Sequence, residues 1–280
     1  MKITSAITKA TLFMVLTSVG YSQEAFYGRV GLAGIWGIDV NTGVNRLLTT
    51  TSFSGGAHVN ALAYDEGVDR LIYMRDTGIP GLQTVQTMGY YDFALNQNFF
   101  LTPASGTTAV RQASNGTFHN GQYWYVESNT DDLYSMNINY GAGTYSNKVF
   151  RGSVVDNGHP LDFGDIVFDT SGNLLLSAGH TISNPGTNGT RLRLFNVTTQ
   201  NDSIRGQYLG QIARLDSTYY GTDNGVFFKF NPANAAILPG YSFAILDSAS
   251  DLAVRRIPEP STTGLLALAG SLCLIRRRRA

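Results

Sequence analysis

Short strand-like runs of apolar and aromatic residues alternate with polar turn residues along most of the chain. The runs are rich in Tyr, Phe, Val, Leu and Ile, and Gly, Asn, Asp and Ser lie between them. Runs of this length, bounded by turn formers, are typical of β-strands. The pattern therefore predicts an all-β domain.

The strand-like runs recur in a fixed order of four, with a weak period of about 47 residues. The first run of each copy is found at Ala61–Asp65, Ala109–Ala113, Asp165–Asp169, Ile212–Asp216 and Asp251–Arg255. The last of these has no second, third or fourth run after it. Those three runs stand instead at the start of the domain, at Phe26–Val30, Gly34–Val40 and Val44–Thr51.

The two incomplete ends together make a fifth copy of the repeat. Pairing of the N- and C-terminal strands would remove the open edges of the sheets. The repeat thus predicts a five-bladed β-propeller of four-stranded blades, closed by its terminal strands. The turn at Asp39–Gly43 and the following strand Asn60–Asp65 are similar to the degenerate propeller repeats of many secreted bacterial proteins.

A two-sheet β-sandwich is the alternative fold. About twenty strands over about 230 residues are too many for one sandwich, which favours the propeller. Stacking of blade on blade is expected to bury the large aromatic side chains, and a carbohydrate-binding aromatic platform is the alternative role for them. The aromatic residues concerned are Trp36, Tyr73, Tyr91, Trp124, Phe168 and Phe228.

Charge is low and its balance differs between the domain and the ends. Charged residues make up 14% of the chain, against about 25% in an average soluble domain. Six of the 20 basic residues and one of the 20 acidic residues lie in the terminal segments, so the central domain is net acidic. Without a basic patch, nucleic-acid binding is not expected. The single cysteine, Cys273, excludes an internal disulfide.

The N-terminal segment 1–23 has the three parts of a secretory signal peptide. Lys2 and Lys9 precede an apolar stretch from Ala10 to Val19, and small residues follow near Gly20 and Ser22. The apolar stretch is too short to span a bilayer as a mature helix. We therefore expect export through the Sec translocon and cleavage near Ser22, leaving a domain at residues 24–256.

The C-terminal segment 257–280 has a distinct order of elements. A Pro-Glu-Pro box is followed by Ser and Thr residues, by an apolar run at 264–275, and by four arginines. That run would form a helix of roughly 18 Å, shorter than a hydrocarbon core of about 30 Å. The box consists of Pro258, Glu259 and Pro260, and the cytoplasmic anchor charges are Arg276, Arg277, Arg278 and Arg279.

This order of elements resembles the PEP-CTERM sorting signal of Gram-negative bacteria that make exopolysaccharide. The resemblance implies recognition by an exosortase, transient insertion of the tail into the inner membrane, and cleavage near the box. It also implies a final location at the cell surface or in the biofilm matrix. A plain tail anchor is the alternative. The resemblance covers the tail alone and carries no activity for the domain.

A candidate ligand face is expected where the loops after the second and fourth strands of each blade open. Long loops on a rigid scaffold commonly carry binding sites. Carboxylates beside imidazoles could hold a divalent cation or perform acid–base chemistry, although solvated loop residues are the alternative. The candidate residues are His58, Arg75, Asp76, Glu127, His159, His180 and Asp223.

The sequence lacks the common catalytic signatures, including Gly-x-Ser-x-Gly, His-Glu-x-x-His and a P-loop. No catalytic residue, metal ligand or cofactor is assigned, and a structural divalent cation is the one alternative left open. We therefore expect a non-enzymatic module that binds exopolysaccharide or another surface protein. The alternative is an extracellular propeller hydrolase or lyase acting on carbohydrate or lactone.

Overall fold

The computed structural model describes residues 21–29, 34–50, 59–75, 87–111, 113–127, 130–154, 163–179, 191–246 and 249–258. Contacts divide the chain into one unit at Gln23–Arg256 and another made of Met1–Ser22 with Ile257–Ala280. The first unit is described below. The expected terminal helices lie outside the described residues. Within the described ranges, no helix is long and apolar enough to cross a membrane.

The described residues form twenty β-strands that belong to four-stranded groups. The strands are β1 Tyr21–Arg29, β2 Gly34–Asp39, β3 Asn45–Thr50, β4 Val59–Asp65, β5 Arg70–Arg75, β6 Thr87–Asp92, β7 Gln97–Pro103, β8 Ala113–His119, β9 Gln122–Glu127, β10 Asp132–Asn139, β11 Thr144–Ser153, β12 Phe163–Phe168, β13 Leu174–Gly179, β14 Arg191–Phe195, β15 Asp202–Gln207, β16 Gln211–Leu215, β17 Thr218–Asp223, β18 Val226–Asn231, β19 Ala236–Ala244 and β20 Ala249–Pro258.

Sheet order follows the chain in every group but one. Three sheets have the orders β20-β1-β2-β3, β12-β13-β14-β15 and β16-β17-β18-β19. The groups β4–β7 and β8–β11 join into one eight-stranded sheet through a short parallel pairing of β7 with β11, at Thr102 with Thr144 and Pro103 with Tyr145. In the first sheet, β20 from the end of the domain lies beside β1 from its start.

An Asp or Asn residue caps the turn between the third and fourth strand of each group. Asp39 Oδ1, for example, accepts hydrogen bonds from the amides of Asn41 and Thr42, both at 2.9 Å. Such side-chain bonds to nearby amides stabilise tight turns. The corresponding residues in the other turns are Asp92, Asn139, Asn196 and Asn231.

Buried apolar side chains hold successive groups together. Each of five clusters among the described residues combines side chains from two groups that follow one another in the chain, or from the last group and the first. The cluster between β16–β19 and the first sheet includes Tyr220 and Phe227 on one side and Tyr27 and Ile38 on the other. Hydrophobic burial therefore links every group to two neighbours.

The β20 strand makes polar contacts as well. Ser250 Oγ donates a 2.5 Å hydrogen bond to the carbonyl oxygen of Val59 in β4. The guanidinium of Arg255 donates two hydrogen bonds, at 2.7 and 2.6 Å, to the carboxylate of Asp69 in the β4–β5 turn. These contacts join the first sheet to the group β4–β7.

Most predicted strands lie within a few residues of the observed ones, but one is wrong. The first run of the second repeat was expected at Ala109–Ala113, whereas β8 spans Ala113–His119. The strand ASNGTFH contains polar residues and a glycine, so its composition is not strand-like. It is nevertheless buried at Asn115 and Gly116, because it lies against its neighbours β4 and β12.

The aromatic residues expected in the core are buried or partly buried there. Tyr73, Tyr91, Trp124, Phe168 and Phe228 are all buried, and the partly buried Trp36 packs against a core cluster. Their core packing is thus confirmed. The architecture as a whole is all-β and propeller-like, built from four-stranded groups of antiparallel strands.

Candidate functional site

The first strands of the groups, with β20 in the first sheet, surround a small cavity. We call β4, β8, β12, β16 and β20 the inner strands. Each of them contributes three consecutive residues to the lining of a cavity of about 70 Å³. We call it the axial cavity. Its lining consists of residues 62–64, 116–118, 166–168, 212–214 and 252–254.

Polar residues occupy the position just before the cavity lining on most inner strands. Two of them, Asp165 on β12 and Asp251 on β20, are acidic, and both are 0% exposed. The corresponding residues on β8 and β16 are Asn115 and Gln211, which are also buried, while β4 has Ala61. Four of the five inner strands thus bring polar side chains together at one end of the axial cavity, and two of these side chains are carboxyl groups.

Backbone amides of the inner strands donate to these carboxyl groups. Asp165 Oδ2 accepts from the amide of Ile212 at 3.1 Å and from that of Leu252 at 3.3 Å, so it links β12 to both β16 and β20. Its Oδ1 accepts from the amide of Ile166 at 2.7 Å. Asp251 Oδ1 accepts from the amide of Leu252 at 2.7 Å. Hydrogen bonds of this kind compensate in part for burying a carboxyl group.

A β-bulge on β4 supplies two further backbone amides that donate to Asp251. The register of β4 against β5 shifts between Asn60 and Ala63, and Ala61 has a φ of 55°. This left-handed conformation is unusual for a residue with a side chain. The bulge places the amides of Ala61 and Leu62 where they donate to Asp251. Tyr123 Oη donates a 2.7 Å hydrogen bond to the carbonyl oxygen of Ala61 and thereby supports the bulge.

Burial changes the ionisation of this group of residues. Burial raises the pKa of Asp165 well above its usual range, and the charge and hydrogen bond of Asp251 raise it further. Burial likewise raises the pKa of Asp251 well above its usual range. The Tyr123 hydroxyl has a raised pKa because it is buried and because both carboxyl groups lie near it. The pKa of Tyr208 is raised by burial, then by Asp223 and Asp165.

The residues predicted to form a ligand face are only partly described. Arg75, Glu127 and Asp223 each end the second strand of a different group. Glu127 forms an ion pair with Lys148 Nζ at 2.6 Å, and both side chains are almost buried. Asp223 Oδ2 accepts from Asn224 Nδ2 at 3.1 Å. The remaining members of the set, His58, Asp76, His159 and His180, lie outside the described residues.

The sorting residues lie at or beyond the end of the described chain. Pro258 is the last residue of β20, and nothing is described of its side chain. Glu259, Pro260 and the arginines Arg276, Arg277, Arg278 and Arg279 lie outside the described residues. Within the described part, no cluster of three or more His, Cys, Asp or Glu side chains is arranged to hold a metal ion.

Sequence reasoning missed the pair Asp165 and Asp251. Each had been placed in the first run of a repeat, but only as the start of a strand. Their common position, one residue before the apolar pairs Ile166–Val167 and Leu252–Ala253, was the available signal. Equivalent positions on the inner strands of a propeller-like fold face a common axis, so two acids there are expected to meet.

Comparisons with known proteins concern the fold alone. No family model matches the chain, and no curated protein matches it. A chain of a nidogen/laminin complex superposes with a TM-score of 0.52 at 11% identity, covering 83% of this chain and 98% of that chain. This similarity supports the propeller-like fold.

Two further solved structures superpose less well. A luciferin-regenerating enzyme gives a TM-score of 0.46 at 13% identity, covering 82% of this chain and 72% of that one. A protein of unknown function from Bacteroides caccae gives a TM-score of 0.43 at 14% identity, covering 78% and 72%.

Proposed function

We propose that the chain is an exported surface or matrix protein whose propeller-like domain is a non-enzymatic binding or structural module. The main supporting observation is that the inner strands leave only a small cavity between them. The axial cavity has a volume of about 70 Å³, well below the roughly 300 Å³ or more of an ordinary ligand pocket. Its two carboxyl groups are fully buried and engaged with backbone amides. An axis of this kind suits a rigid scaffold better than a substrate pocket.

The domain is proposed to be a five-bladed propeller closed by β20. Five apolar clusters, each shared by two groups, support this closure. The lining of one cavity by five inner strands supports it as well. In this arrangement, the groups β4–β7 and β8–β11 are two blades joined by the parallel pairing of β7 with β11.

The tail is proposed to be a sorting signal processed by an exosortase near Pro258–Pro260. The order of the Pro-Glu-Pro box, the apolar run and the arginines supports this proposal. The domain would then reach the cell surface or the biofilm matrix of a Gram-negative bacterium. Exopolysaccharide or another surface protein is the proposed partner there.

Intact mass of the protein isolated from its host tests the sorting proposal. We expect a mature form that lacks the segment after the box, and an unprocessed form in a strain without exosortase. A double variant, Pro258→Ala with Pro260→Ala, is expected to remain unprocessed in the parent strain. The matched control, Ser261→Ala with Thr262→Ala, changes the neighbouring residues and should be processed. An intact C-terminus in the parent strain would contradict sorting and indicate a tail-anchored protein.

Retention of the mature protein on matrix fractions tests the binding proposal separately. The protein is passed over immobilised exopolysaccharide and over envelope protein fractions from the same host. We expect retention on at least one of them, reversed by soluble competitor. If every glycan and protein fraction fails to retain the protein, the binding proposal is rejected, whatever the result for the tail.

A further inference from the structure

The pair Asp165 and Asp251 has a role that the proposed module does not explain. The two carboxyl groups come from inner strands that lie far apart in the sequence, β12 and β20, and they are adjacent, because the amide of Leu252 lies 3.3 Å from Asp165 Oδ2 and 2.7 Å from Asp251 Oδ1. Two carboxylates cannot hydrogen-bond to each other without a proton between them. The contact therefore needs either a proton or a cation.

The hydrogen bonds of the four carboxyl oxygens favour a proton, rather than a cation, between the two groups. Three of the four carboxyl oxygens accept hydrogen bonds from backbone amides. Asp251 Oδ2 is buried and receives no hydrogen bond from an amide or hydroxyl group of the described residues. A divalent cation such as Ca²⁺ needs about six or more oxygen ligands, and N–H donors already occupy most of the lone pairs. A single proton needs only one open acceptor, and Asp251 Oδ2 provides it.

Among the described residues, none of the side chains facing the pair carries a positive charge that could replace the proton. At this level the other inner strands present Ala61, Asn115 and Gln211 among the described residues, and none of these ionises. The titratable groups that face the pair from adjoining segments are Tyr123 on β9 and Tyr208 just before β16. Both are neutral at ordinary pH, so the repulsion between two ionised carboxyl groups would be offset only in part, by the backbone amides.

We propose that Asp165 and Asp251 bind one shared proton, and that this proton fastens the strand β20 to β12 across the axis of the domain. Asp165 is assigned as the donor because Asp251 raises the pKa of Asp165, whereas the hydrogen bond from Asp165 lowers that of Asp251, and Asp251 Oδ2 is the open acceptor. Loss of the proton leaves two buried carboxylates that repel each other and weakens the attachment of β20. The pair thus makes the closure of the domain depend on pH.

The sign of the pH dependence follows from the direction of the pKa shifts. Folding raises the pKa of both carboxyl groups above about 3.9, the usual value for Asp. The folded state therefore holds a proton that the unfolded chain releases above that pH. The stabilisation is fully present below the usual pKa and is lost as the pH rises towards the folded-state values. One linked proton changes the unfolding equilibrium constant by about tenfold per pH unit in this window.

Infrared spectroscopy of the full-length chain tests for the proton directly. A protonated carboxylic acid has a C=O stretching band, shifted in D₂O, that carboxylates lack. At neutral pH we expect this band in the wild type and its loss in Asp165→Asn. Asp92→Asn is the matched control, because Asp92 pairs with Arg70 and has a lowered pKa, so the band should remain. The wild-type spectrum decides the matter even if a variant fails to fold: absence of the band overturns the proposal.

Denaturant unfolding from about pH 5 to about pH 8 tests whether the shared proton holds β20 to β12. Asp165→Asn removes the titrating group and can donate from its amide nitrogen to Asp251 Oδ2, but one backbone amide loses its acceptor oxygen. The pH slope, not the absolute stability, is therefore compared. We expect the folding equilibrium constant of the wild type to fall about tenfold for each unit of rising pH. The variant should not show this pH dependence. Amide exchange of Leu252 should be faster in the wild type than in the variant at the alkaline end. Equal pH slopes, or equal exchange of Leu252 in both proteins, would refute the fastening of β20.

Discussion

Single residues set the geometry of the third-to-fourth-strand turns. In each turn, the Asp or Asn cap is followed four residues later by a residue with positive φ. Only two of these are glycine, the residue that adopts this conformation most readily. The residues at this position are Gly43, Asn96, Gly143, Gln200 and Ala235. The sequence predicts the turn at Asp39–Gly43, but Gln200 and Ala235 adopt the same positive φ although their residue types do not indicate it.

Asp92 combines a turn cap with an ion pair, and substitution can separate the two. Its Oδ1 accepts from the amides of Ala94 and Leu95, while Oδ2 pairs with Arg70 Nε at 2.9 Å. Asp92→Asn keeps the cap, as Asn139 does elsewhere, and should cost about 1 kcal/mol of unfolding free energy. Asp92→Ala loses both roles and should cost about 2–3 kcal/mol. Urea unfolding measures both values, and equal losses would show that the cap contributes nothing.

The ion pair of Asp92 also has a pH dependence opposite to that of the axial carboxyl groups. Burial alone would raise the pKa of Asp92, but the amide of Leu95, Arg70 and the amide of Ala94 together lower it. Its stabilisation is therefore present above the usual pKa of Asp and is lost as the pH falls through the lowered value. The difference in stability between the wild type and Asp92→Asn should shrink in acid. A difference that stays constant down to about pH 2 would contradict this assignment.

At the scale of the element, the bulge on β4 depends on one hydroxyl group. Tyr123→Phe removes the donor to the carbonyl oxygen of Ala61 and leaves that buried acceptor without its hydrogen bond. We expect a loss of about 1–3 kcal/mol in unfolding free energy. Tyr125→Phe is the control on the same strand, because its hydroxyl makes only a long 3.5 Å contact with Glu127. Chemical denaturation of both variants measures the difference, and similar losses would argue against support of the bulge by Tyr123.

Element boundaries were predictable where turn residues and apolar runs agree. The strand β2 begins where the sequence places it, at Gly34, and β16 begins at Gln211, one residue before its predicted start. β8 was misplaced, because its residues are polar and its burial comes from neighbouring strands. The bulge at Ala61 could not be foreseen either, since alanine gives no sign of a positive φ. Tertiary contacts decide such features, and one sequence does not display them.

At the scale of the whole molecule, apolar side chains of β20 pack the first sheet against its two neighbouring groups. Leu252 is buried in the cluster between the first sheet and β16–β19. Leu252→Ala should cost about 2–5 kcal/mol because it leaves a cavity in that cluster. Leu238→Ala on the exposed β19 strand is the control, with an expected change within about 0.5 kcal/mol. Thermal and urea unfolding give both values, and a near-zero effect at Leu252 would mean that β20 does not hold the groups together.

The axial site shows where sequence analysis stops. The repeat pattern assigns Asp165 and Asp251 to equivalent positions on two first strands, so their meeting could have been predicted from the alignment of repeats. Their protonation could not, because it depends on burial and on which amides reach each oxygen. The ligand face is a different case. The sequence places its residues at the ends of second strands and in loops before first strands, which says nothing about their partners, and Glu127 is paired with Lys148.

The pairing of β20 with the first sheet also has a consequence for folding kinetics. The contact between the amide of Leu246, just before β20, and the hydroxyl of Tyr27 in β1 spans 219 residues, and β20 is the last strand of the domain to be synthesised. Contacts this distant in sequence form slowly, since a long loop must close before they contribute. During synthesis, the first sheet therefore keeps an unpaired edge at β1 until nearly the whole domain has been made. An interruption just before β20 would leave that edge open to pairing with another chain.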